Sequence, residues 1–201
     1  MRPLVLISVL PAIAAVSLPN LAAQRNSTAR IVAEAVSPLP KQLRDGATVM
    51  QFQEDGTLTQ IREGTGQMIC LSDDPRAQGF HPACYHKDLG PYMARGRELR
   101  AQGKNGNESR SIRFDEIKAG KLAWPKHAVA LYSLTGPDGS FDPTTGEAPT
   151  ARGLQVIYVP YATEETSGVS TTPARDRPWL MHAGTPGAHV MIAIPPKGGR
   201  H

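Results

Sequence analysis

The hexapeptide His81-Pro-Ala-Cys84-Tyr-His86 places two imidazoles and a thiol within six positions. Imidazole and thiolate are donors that zinc and copper favour. The segment could therefore hold a metal together with Asp73 or Asp74 and, from the C-terminal region, His182 or His189. The chain has one other cysteine, Cys70, fourteen positions before Cys84. In an oxidising compartment two cysteines without competitors pair with each other. Closing a loop of about fifteen residues adds roughly 3 kcal/mol on chain-entropy grounds. A Cys70–Cys84 disulfide is the expectation, and His81, His86 and Asp73 are the candidate ligands if a metal is held instead. Haem attachment is excluded by spacing, since Cys84 is followed by Tyr85 and then His86, with no cysteine three positions earlier.

Acid–base chemistry has its own candidates. Imidazole titrates near neutrality, so His86 and His189 with a carboxylate such as Asp74 could serve a hydrolytic reaction. Two of them have a plainer role: Asp73-Asp74-Pro75 suits a turn, and His189 opens an apolar strand after Gly184-Thr-Pro-Gly187. No Gly-x-Ser-x-Gly elbow and no Lys-Ser/Thr phosphate loop occurs, and no cofactor is expected. Arg95, Arg97 and Arg100 read as the solvated face of a helix rather than a site for an anionic polymer.

The compartment follows from the N-terminus. Residues 1–23 carry one arginine, then an apolar run from Leu4 to Leu18, then a small-residue end, the pattern of a secretory signal peptide. The alternative, a membrane anchor, needs about 20 apolar residues, and Pro11 and Pro19 interrupt a shorter run. The expected product is a soluble periplasmic or secreted chain with no membrane attachment after cleavage. It divides into an N-terminal helix and linker at 24–46, one domain at 47–196 and a tail at 197–201. The formal charge of the whole chain is +4, too small and scattered to point to nucleic acid.

The elements that must position these residues follow from periodicity and punctuation. Ser27 or Thr28 could cap a short helix, and two prolines then lead into a linker. Three runs, 49–52, 58–61 and 68–71, are separated by Asp55-Gly56 and by Gly64-Thr-Gly66, which reads as a three-stranded antiparallel meander. A helix is expected over 88–102, with Asp88 as N-cap and Gly103 at its end, then a loop over 103–110 and a shorter helix over 114–122. Apolar runs at 128–134, 154–161 and 188–195 read as strands. The connections 135–153 and 162–178 are long enough to be either functional or mobile. Strands, then helices, then strands give an α+β fold: a mostly antiparallel sheet with helices on one face.

Two segments, Arg62-Glu-Gly-Thr-Gly-Gln-Met-Ile-Cys70 and Pro178-Trp-Leu-Met-His-Ala-Gly-Thr-Pro-Gly-Ala-His-Val-Met191, resemble a group of uncharacterised secreted bacterial proteins. The resemblance touches the expected meander and the last strand, and implies export without implying an activity. The functional expectation is a module that binds a small ligand or a protein partner, with the metal-dependent or histidine-based hydrolase as alternative.

Overall fold

The computed structural model describes residues 21–197. The expected signal segment therefore lies outside the described residues except for positions 21–23, as does the tail beyond 197. Eight strands form one sheet: β1 Thr48–Phe52, β2 Leu58–Arg62, β3 Met68–Leu71, β4 Ala83–His86, β5 Val129–Thr135, β6 Arg152–Tyr158, β7 Trp179–Met181 and β8 His189–Ile194. Their order is β2-β1-β3-β4-β5-β6-β8-β7, and every pair is antiparallel except β1 with β3. The class is α+β with a single domain.

The parallel pair corrects the expected meander. Asp55-Gly56 does turn β1 into β2, with Gly56 at φ 85°. The second glycine-rich stretch is a crossover that returns beneath the start of β1 and delivers β3 to its other side. A Cβ on Gly64 would sit 2.3 Å from Thr48 N and 2.4 Å from Ala47 C, while Gly66 N–H donates to Gly46 O at 2.7 Å. These glycines permit close backbone approach, not a hairpin.

Side-chain alternation separates two layers. Met68, Cys70 and Cys84 point to one face, where they are buried with Ala35, Val36 and Val49. Ile69, Leu71 and Tyr85 point to the other, where they pack with Leu89, Met93 and Trp124. Helix α1, Leu21–Val36, covers the first face; α3, Gly90–Ala101, lies on the second and pairs with α4, Gly106–Lys118. The helices thus lie on both faces, not one, which is why the central strands are apolar at successive positions. Ser27 and Thr28 fall inside α1 rather than at its start. The 24–46 segment, including Leu39 just before the short helix α2, Lys41–Arg44, contributes to the buried core.

On the second face the chain enters α3 through a 3₁₀ turn, Lys87–Leu89, capped by His86: its Nδ1 accepts the Asp88 N–H at 3.3 Å. Asp88 is therefore inside the turn and not the cap. Gly103, at φ 80°, follows the end of α3 as expected. Helix α4 begins well before position 114, because Asn105 and Glu108 form a reciprocal capping box. Arg95 binds Glu116 at 2.7 Å and the Arg113 guanidinium lies 3.8 Å over the Tyr92 ring, fixing the helix pair.

The two long connections are structured. In the first, Phe141 and Ala151 are buried against Phe80. The second carries α5, Glu164–Ser167, capped by Thr163. The Ser170 carbonyl then accepts the N–H of Leu180 at 2.8 Å as the chain enters β7.

Candidate functional site

The sheet separates the sequence candidates by placing them at opposite ends. His81 precedes β4 and His86 closes it, so five extended residues, about 16 Å, lie between them. Asp73 accepts the His81 backbone N–H at 2.7 Å, and burial pushes its carboxyl above the usual range. His81 contacts Gln78 O at 2.9 Å through its ring. The set His81, His86 and Asp73 is not brought together. Asp74 pairs with Arg76 at 2.8 Å, and that partner holds its carboxyl below the usual range. Cys70 and Cys84 face each other on β3 and β4 and form the disulfide. The bond joins adjacent strands, rather than tying a strand to the start of a helix.

His86 and His189 share one end of the sheet but stand on β4 and β8, three strand steps or roughly 14 Å apart. Asp74 is at the other end. His189 instead lies among aromatic rings, 5.1 Å from Tyr158 and 5.4 Å from His182, with Phe114 6.0 Å beyond His182. Its Nδ1–H donates to Gly187 O at 2.7 Å. Burial holds both His182 and His189 below the ordinary imidazole range, and the positive charge of Arg110 adds to the effect. A pair kept neutral with no carboxylate acting on it suits packing rather than proton transfer.

A cavity of about 770 Å³ opens at the other end of the sheet, where β5 and β8 finish and β6 and β7 begin. Its volume is in the range of small-molecule sites. Leu154, Trp179 and Ala193 are among its apolar lining residues, and Pro178 and Pro195 stiffen the walls. Arg152, Arg175 and Arg177 stand on the exposed rim with Asp176, which pairs with Arg177 at 3.3 Å. Three arginines against one aspartate leave the rim cationic, so the cavity combines an apolar body with anion-seeking edges. The expectations from the sequence include neither the cavity nor its arginines. The signal was Arg175-Asp-Arg-Pro-Trp179 at the end of the second long connection, where a basic doublet meets a tryptophan.

No family model matches the chain, nor does any curated protein or solved structure. Among the described residues no helix is long and apolar enough to cross a membrane.

Proposed function

We propose that this is an exported binding protein whose cavity between the ends of β6, β7 and β8 takes a small amphipathic anion, an apolar or aromatic body bearing a carboxylate or phosphate. The observation that carries this reading is the pairing of Trp179 in the lining with the Arg152, Arg175 and Arg177 rim around 770 Å³ of open volume. A guanidinium fork meets a carboxylate or phosphate with two parallel hydrogen bonds, and an indole face accepts an aromatic body by stacking. Prolines at 178, 195 and 196 favour a preformed wall, which lowers the ordering cost of binding.

Export is supported by the buried disulfide and by the apolar N-terminal run with its single arginine. Binding is favoured over hydrolysis because His86, His189 and Asp74 occupy three separate places. The test is a titration with 2-naphthoate and with its uncharged analogue 2-naphthylmethanol. Naphthoate should bind more tightly, and Arg152→Ala with Arg175→Ala should erase the difference. Equal affinity for the two compounds in the unaltered protein would refute the anion reading.

A further inference from the structure

We propose that His86, Asp88 and His127 form a binding site for a divalent transition metal of the zinc type, with one coordination position left open. Among the described residues this is the group in which three histidine or carboxylate donor atoms lie within 4.8 Å of one another. His127 Nε2 is 3.3 Å and His86 Nδ1 3.7 Å from the same Asp88 oxygen. Zinc ligands at about 2.0–2.1 Å around a tetrahedral ion stand roughly 3.3–3.4 Å apart, so two of the three edges are near their final length before any ion enters.

The fold sets this geometry. His86 ends β4 and His127 precedes β5, and the Tyr85–Leu131 register brings those two chain ends side by side. The 3₁₀ turn then lifts Asp88 between the two rings, which meet edge to face at 6.0 Å. His86 Nδ1 already accepts a hydrogen bond from Asp88 N–H, so that nitrogen carries a lone pair and not a proton. At 3.3 Å that bond is long, and an ion would displace it at small cost. Among the described residues no lysine or arginine pairs with Asp88, and the nitrogens that approach its carboxylate are those of the two imidazoles.

A hollow of about 470 Å³ adjoins the group, lined by Pro91, Trp124 and Pro125 as well as Asp88 and His127. It leaves room for water or a small anion as fourth ligand, and Lys87 and Lys126 on its edge favour the anion. Two histidines and one carboxylate with an open position suit zinc, while the absence of a thiolate selects against softer ions. The site is about 20 Å, the length of β6, from the arginine-rimmed cavity, so the two proposals stand or fall separately.

The experiment titrates the untagged full chain with Zn²⁺, read by calorimetry and by the imidazole proton resonances. One equivalent should bind, moving the His86 and His127 resonances together while those of His182 and His189 stay in place. Asp88→Asn and His127→Ala should each weaken binding by at least about tenfold. His127 is exposed, so its replacement leaves the fold intact. Failure to bind Zn²⁺, binding that moves His182 or His189 instead, or binding undiminished in both variants would overturn the proposal.

Discussion

Cys70 on β3 and Cys84 on β4 are directly opposed in the antiparallel ladder, their Cα atoms 4.0 Å apart, and both are fully buried beneath Ala35 of α1. The sulfur of Cys84 lies 3.3 Å from the Ala35 carbonyl oxygen. The disulfide therefore does two things: it restricts the unfolded chain, and it fills the core between the sheet and its first helix. Replacing both cysteines by alanine should lower stability by roughly 3 kcal/mol in urea unfolding. The bond should also resist reductant in native buffer and open only on denaturation, as a mass gain of two hydrogens. Reduction of the native protein would show that α1 does not seal it.

Gly64 lies against the backbone of residues 46–48, and none of the atoms a Cβ would meet can move away as a side-chain tip could. Gly64→Ala should cost at least about 2 kcal/mol, a cost arising where the crossover places β3 parallel to β1. Gly106→Ala, where nothing lies within 4 Å, is the matched control and should be near neutral. Equal effects of the two would mean that the crossover does not pass as closely as described.

These two sites show what was legible in the sequence. The α+β class, the disulfide and the three late strands follow from apolar runs and cysteine count, which are local properties. Glycine chemistry is ambiguous locally: Gly56 serves a turn and Gly64 a close approach, and only the strand order tells them apart. The capping box of Asn105 and Glu108 was legible, because its four-residue spacing is a local signal, yet 103–110 reads as loop by composition alone. Asp88 and His127 are brought together by the β4–β5 register across a long stretch of intervening chain, so no local pattern could pair them. The arginine rim depends likewise on where β6 begins and where the second connection ends.

The partly buried histidine pair makes stability depend on pH. Both His182 and His189 titrate below the ordinary value of 6.5 in the folded protein. The unfolded chain takes up protons first on acidification, so the stability these residues contribute is complete above pH 6.5 and is lost as pH falls toward their folded values. Glu34, pushed up by burial, acts in the opposite sense. The quantity to measure is therefore the difference between the unaltered chain and a His182→Asn/His189→Asn variant across the range from about pH 7 to 5. The variant should show the flatter curve, and parallel curves would mean that the pair is not buried as neutral imidazole.

The most direct test of the binding account uses the two tryptophans as separate reporters. Trp179 lines the arginine-rimmed cavity, whereas Trp124 packs against Tyr92 and Tyr158 at the histidine end of the sheet. In a nitrogen-15 labelled chain the two indole N–H signals should respond differently to 2-naphthoate. The account predicts a saturable shift of the Trp179 signal with Trp124 unmoved, and loss of that shift in Arg152→Ala/Arg175→Ala. A shift confined to Trp124, or none at either indole, would contradict it.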